Sequence, residues 1–137
     1  MKTCYVLIGP PGSGKTTFTN QFNKPFVRIS QDTDGKNHYR IFLNAIMNSA
    51  ENIIIDRMNF NVVQRCRYAL PAAYLGYHII YVIFNISPEE SLRRCLARKN
   101  HKTIIDENTA RSAINHFFDN VEDPDSREPY NRIDYGT

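Results

Sequence analysis

Residues Ile8–Thr17 read IGPPGSGKTT. Within them GPPGSGKT, from Gly9 to Thr16, fits the phosphate-loop pattern GxxxxGK[ST] at every fixed position. Upstream, Cys4-Tyr-Val-Leu-Ile8 is a short apolar run with β-branched and aromatic members, as a buried parallel strand requires. Downstream, Lys15 to Phe22 is expected to form a helix whose N-terminal N–H groups face an anion. Gly9, Gly12 and Gly14 omit Cβ where the backbone must curl around phosphate oxygens. Gly9, Gly12, Ser13, Gly14, Lys15, Thr16 and Thr17 then make the cradle for a nucleoside triphosphate. Lys15 is expected to reach the β- and γ-phosphates and the Thr16 hydroxyl to hold Mg²⁺. The bland alternative is a Gly/Pro turn before an ordinary helix. The strand before the loop and the helix after it favour the phosphate loop.

Length and composition bound the rest. At 137 residues the chain reads as one domain, 1–137, large enough for a real core. No apolar run approaches the roughly 20 residues that span a membrane. The apolar stretch in MKTCYVLIG is too short for a secretory signal, and cleavage there would destroy the loop. Cys4, Cys66 and Cys95 are odd in number and widely spaced, without metal-type pairs. They read as free thiols in a reducing compartment, so a cytoplasmic location is expected. A net charge of +3 is a mild bias that by itself says nothing of nucleic acid.

Outward from the loop, strand and helix alternate. Phe26–Ile29 and Asn52–Ile55 read as strands, and His78–Phe84 as the clearest buried one. Tyr39, Phe42, Ala45 and Ile46 recur at helical spacing, as do Ala110, Ala113, Ile114, Phe117 and Phe118. Val63 to Leu75 is a helix with a kink or break expected at Pro71 and a stop at Gly76. Ser87-Pro-Glu-Glu90 carries a capping box. The tail from Asp119 is left without a firm assignment. The pattern predicts an α/β fold: a mostly parallel sheet of four or five strands with helices on both faces.

In such sheets ligands gather at the carboxyl ends of the strands. After the second strand comes Ser30-Gln-Asp32, where a carboxylate can orient an acceptor hydroxyl and take its proton. The alternative is that Ser30 and Asp32 merely cap a helix or build a turn, as Asp34-Gly35 indicates. Asp32-Thr-Asp-Gly-Lys36 also has the look of an aspartyl-phosphate phosphatase start, but the chain has no room for that fold's other parts. After the third strand comes Asp56-Arg57-Met58-Asn59. Asp56 is positioned to hold Mg²⁺ through water, to anchor a neighbouring cation, or simply to cap a loop. Asn59 is expected to tie that loop together or to touch substrate. Arg93 to Lys102 holds five Lys/Arg and no acid, with Arg94 and Arg98 expected on one helical face. Two guanidiniums there suit a triphosphate, against the alternative of a solvated charged face.

GPPGSGKTT, then SQD, then IIIDRMNFN, AYLGYHIIYVIF and SPEESLRRCLAR, with the closing FFDNVEDPDSREPYNRI, resemble the polynucleotide 5′-hydroxyl kinase family of P-loop phosphotransferases over nearly the whole chain. The resemblance implies the three-layer P-loop kinase fold with an Arg-rich lid. It implies ATP and Mg²⁺ as cofactors, nucleic-acid 5′-OH ends as acceptors in end healing and repair, and no membrane partner. For a phage-encoded chain the location would be the host cytoplasm, and a homo-oligomer stays open. By resemblance, Lys15 and Thr16 bind the ATP phosphates and Mg²⁺, and Asp32 is the general base. Arg98 is the lid arginine, with Arg94 assisting. Asp56 and Asn59, with Arg57 and Lys36 nearby, shape the acceptor side. Three positions depart from the pattern: Met58 stands where Thr is frequent, Cys95 where Asn is frequent, and Gly35 where some members carry an acceptor-binding Arg. A kinase of a small alcohol, of the gluconate type, shares the same core. A regulatory NTP switch is the third possibility, though the chain lacks an Asn-Lys-x-Asp guanine motif.

Overall fold

The computed structural model describes residues 1–98 and 106–136, and of residues 32 and 33 the backbone alone. The first strand, β1 (Thr3–Ile8), lies at the centre of a sheet and is covered on both sides. Cys4, Val6 and Ile8 enter one apolar layer while Leu7 enters the other. β2 (Val27–Ile29), β3 (Asn52–Ile55), β4 (His78–Phe84) and β5 (Asn131–Tyr135) complete the sheet in the order β2-β3-β1-β4-β5. Every pairing is parallel. Ile53, Ile54 and Ile55 are all fully buried, which is why this strand reads as an unbroken apolar run rather than an alternation. Each such side chain contributes roughly 1.5–3 kcal/mol by leaving water.

One face of the sheet packs against α3 (His38–Met47), α4 (Val62–Tyr74) and α6 (Glu107–Asn120) through Phe42, Tyr68, Ala72 and Phe117. The other packs against α1 (Lys15–Gln21) through Phe18, with Phe22 and Phe26 beyond it. The helix after β1 and the helix after β3 therefore lie on opposite faces, although the two strands are neighbours. Their carboxyl ends form the crevice where such sheets take ligands. No helix among the described residues is long and apolar enough to cross a membrane.

Three elements differ from expectation. α4 runs through Pro71 without a break. A prolyl nitrogen cannot donate to the carbonyl of Arg67, one turn back. Tyr39 Oη donates to that oxygen instead, at 3.0 Å. Gly76, at φ +88°, then ends the turn as expected. The tail supplies β5, paired in register from Ile80↔Asn131 to Phe84↔Tyr135. Finally α5 (Pro88–Ala97) starts at the expected cap, with Ser87 Oγ accepting from Glu90 N at 3.1 Å, but it stops at Ala97. Arg98 is extended (φ −75°, ψ 98°), so it does not continue the helical face of Arg94.

Candidate active site

The phosphate loop leaves β1 and closes on α1 through two glycines in left-handed backbone, Gly12 (φ +77°) and Gly14 (φ +109°). α5 walls its outer side. A Cβ on Gly12 would stand 2.7 Å from Ser91 O and 3.0 Å from Cys95 Sγ. Lys15 Nζ donates to Gly9 O at 2.8 Å, so its ammonium lies at the mouth of the loop. Thr16 and Thr17 are exposed on the first turn of α1. The Ser13 hydroxyl is buried and has no hydrogen-bond partner among the described residues. Burial raises the Cys95 thiol pKa, while Arg98 and Lys15 pull it back down. Both cations therefore lie within electrostatic reach of the same side of the loop.

The arginine run differs in detail from expectation. It holds no acid of its own, but Glu90 lies one turn upstream and serves both Arg93 (Nε–Oε2 2.9 Å) and Arg94 (Nε–Oε1 3.2 Å). Those bonds, Arg93 first, hold the Glu90 carboxyl down at about 2. Arg94 thus shares Glu90 with Arg93 in an exposed ion pair at helical spacing, whereas Arg98 stands at the helix end beside the loop. Lys99 and Lys102, the rest of the basic run, lie outside the described residues.

The acceptor side is built by the loop after β3. Gly9 N donates to Met58 O at 3.2 Å and Asp56 N to Ile29 O at 2.8 Å, so this loop is stitched to the ends of both neighbouring strands. Of the roles open to Asp56, the geometry displays a cation anchor: its Oδ2 accepts from Arg28 Nε at 2.9 Å and Nη2 at 2.6 Å. Asn59 ties the loop together. It adopts φ +51°, which Asn tolerates better than most residues, and is 1% exposed. Its Nδ2 donates to Leu7 O at 2.7 Å and Arg57 O at 3.2 Å. The amide nitrogen holds the loop's shape, while Oδ1 is buried without a hydrogen-bond partner among the described residues.

Arg57 faces the other way. Its Nη2 donates to Gln31 Oε1 at 2.7 Å and its Nη1 to Tyr68 Oη at 2.8 Å. Tyr68 Oη lies 3.0 Å from His38 Nε2, and His38 Nδ1 lies 3.0 Å from Gly35 O. A carbonyl only accepts, so Nδ1 donates to Gly35 O, and the Nε2–Tyr68 Oη hydrogen bond carries the relay on to Arg57. This relay braces both ends of α2 (Gln31–Asp34), the turn of helix that carries Asp32. The Asp32 side chain lies outside the described residues, and Lys36 is exposed just beyond α2.

Several members of the site left no mark in the sequence. Arg65 is fully buried; its Nη1 donates to Asn59 O at 3.0 Å and its Nε to Glu128 Oε1 at 2.9 Å. Tyr81 Oη donates to the same carboxylate at 2.8 Å. Glu122 N donates to Phe60 O at 2.7 Å and its carboxylate accepts from Val62 N at 2.9 Å. The segment after α6 thus clasps the acceptor loop from behind. Nothing local in the sequence joins residues some sixty positions apart; His38, Gln31 and Tyr68 likewise reveal themselves only once α2, α3 and α4 meet.

Among the described residues no group of three or more His, Cys, Asp or Glu could hold a metal ion. The donors that fit Mg²⁺ are hard hydroxyl oxygens, Thr16 foremost, acting together with phosphate oxygens of a nucleotide.

Sheet order, phosphate loop and flanking arginine helix define the fold of the P-loop kinases. The chain is similar to the crystal structure of a fungal RNA kinase at 20% identity, over 98% of this chain and 74% of that one, with a TM-score of 0.64. It is similar to a gluconokinase from Sinorhizobium meliloti 1021 at 15% identity, over 96% of this chain and 82% of that one, with a TM-score of 0.57. At these identities the likeness establishes the fold. Among curated sequences it is 25% identical over 138 residues to transcription factor bHLH140 of Arabidopsis thaliana, covering 93% of this chain. The chain spans only 15% of the length of that relative. No family model matches the chain.

Proposed function

We propose that the chain is an ATP-dependent kinase that phosphorylates the 5′-hydroxyl end of a polynucleotide. The observation that carries this reading is the bonded path across the carboxyl edge of the sheet. It runs from Gly9 of the phosphate loop to Met58, on to Arg57, and from Arg57 to Gln31, the residue before Asp32. Nucleotide cradle and acceptor side are thereby one braced unit, which phosphoryl transfer needs because its catalysis is mostly positioning and electrostatics.

Bound ATP with Mg²⁺ supplies the transferable phosphoryl group and part of the neutralising charge. Lys15, from the mouth of the loop, would hold the β- and γ-oxygens, and Arg98 would meet them from the end of α5. Asp32 takes the proton of the 5′-hydroxyl as its oxygen bonds to the γ-phosphorus. The bond from that phosphorus to the β–γ bridging oxygen breaks, and ADP leaves with that oxygen. Arg57, a guanidinium at the acceptor edge whose two partners among the described residues are both neutral, suits an anionic acceptor such as a phosphodiester chain. Asp56 as a water-mediated partner of Mg²⁺, and Lys36 as an acceptor contact, belong to the same reading.

The test is transfer of γ-labelled phosphate to a 5′-OH oligonucleotide, to gluconate and to water, with wild type and Asp32→Asn. Label on the oligonucleotide is the expected outcome; label on gluconate alone, or free phosphate alone, rejects the acceptor. Asp32→Asn should lower turnover by about 10²–10⁴-fold, the worth of general-base assistance. ATP affinity by calorimetry should survive, because Lys15 and Thr16 are untouched. Normal transfer by the variant removes Asp32 from the chemistry.

A further inference from the structure

Two sets of cations among the described residues differ in their partners. Around α5, α6 and the tail, arginines pair with carboxylates: Arg93 and Arg94 with Glu90, Arg111 with Glu107, Arg127 with Asp125 and Arg132 with Asp134. On the α3–α4 face the exposed cations have no carboxylate partner among the described residues. Residues 35–50 and 57–88 contain no Asp or Glu at all.

The unneutralised cations also lie together. Tyr39 and Tyr68 form their hub, with ring centroids 5.8 Å apart. Arg57 bonds Tyr68 Oη on one side. Arg67 lies over the Tyr39 ring, 4.2 Å from its centroid. Arg40, next to Tyr39 in the chain, reaches among the described residues only Asn37 Oδ1 at 3.4 Å, and exposed Lys36 precedes it by one helical turn. A surface that gathers like charges without counter-charges repels itself, and that repulsion is relieved when a polyanion lies across it. Resting Arg67 on an aromatic face fixes the guanidinium without neutralising it. A small acceptor held at Arg57 does not span the two rings to Arg67 and Arg40; an extended phosphodiester chain does.

We propose that the outer face of α3 and α4 is the track for the strand behind the accepting 5′ end, entered at Arg57 and continued by Arg67, Arg40 and Lys36. This rests on the polynucleotide reading above and gives it a direction across the molecule. Contacts of this kind go to phosphates, so the track reads charge and not sequence.

The experiment is equilibrium binding of fluorescent single-stranded 5′-OH oligonucleotides, from a dinucleotide upward, across a salt series and without ATP. Wild type is compared with the double variant Arg40→Gln/Arg67→Gln. Each lost phosphate contact on a single strand lowers the salt slope of log K by about 0.7, so a reduction of about 1.4 is expected. The loss of affinity should grow with oligonucleotide length. An unchanged slope, or an equal loss at every length, overturns the track. So does binding to phosphatidylserine-containing vesicles without salt-dependent oligonucleotide binding, which would make the face a membrane-contact surface. Because binding is read without turnover, the two ideas fail separately. Salt-dependent binding without transfer keeps the track and rejects the kinase assignment; transfer with an unaltered slope does the reverse.

Discussion

Gly12 meets α5 with nothing but hydrogen on its α-carbon. In Gly12→Ala the new methyl would lie 2.7 Å from the Ser91 carbonyl, a backbone atom that cannot swing aside, on a residue already at φ +77°. Strain of this kind costs on the order of 1–3 kcal/mol. Thermal unfolding should therefore shift down by several degrees, and calorimetry should find weaker ATP binding because loop and wall must part. Gly35→Ala is the control: its φ is +57°, yet nothing lies within 4 Å of the added carbon. It should carry the backbone strain alone, with nucleotide affinity intact. Equal losses of ATP binding in the two variants would show that the wall is immaterial. The loop's own residues were legible in the sequence because phosphate binding fixes their spacing. Its wall was not, because Ser91 and Cys95 arrive from a separate helix. Glu90 was hidden for a simpler reason: it lies upstream of the basic run whose charge it balances.

Elements were legible where they are buried on both sides and obscure where they are not. β1, β3 and β4 announce themselves as apolar runs, whereas β5 is an edge strand whose first four residues are exposed, and NRIDY has no apolar run to notice. α4 forms where its pattern predicts a helix, but without the break expected at Pro71. The physical reason is the borrowed hydroxyl of Tyr39, and it can be tested as a cycle. Tyr39→Phe leaves the Arg67 carbonyl without its donor and should cost about 1 kcal/mol in urea unfolding. In a Pro71→Ala background the alanine N–H restores the ordinary helical bond, and the same Tyr39→Phe change should cost clearly less. Additive effects would mean that the hydroxyl and the proline are energetically unrelated.

At the scale of the whole molecule the buried Arg65–Glu128 pair joins the chain's last quarter to its acceptor loop. Burial pushes the Glu128 carboxyl up; bonds from Arg65, the Asp125 N–H and Tyr81 outweigh it and leave the pKa below its usual value. A carboxyl lowered on folding stabilises the fold fully above the ordinary Glu range. That stabilisation is lost as pH falls through the folded value. Glu128→Gln should therefore destabilise at neutral pH by about 3–5 kcal/mol, the usual result of leaving one partner of a buried pair uncompensated. The gap from wild type should narrow as pH drops below about 4. A constant gap across pH, measured by urea unfolding, would assign the loss to packing instead of charge. The strand order carries a different consequence, one about time. β1 is made before the strands it pairs with: β3, β4 and the wall α5 follow some fifty to ninety residues later. A nascent chain can thus carry every letter of the phosphate loop while lacking the surface that shapes it. ATP should reward only a chain translated past α5, so nucleotide capture would report the arrival of the wall rather than the synthesis of the loop.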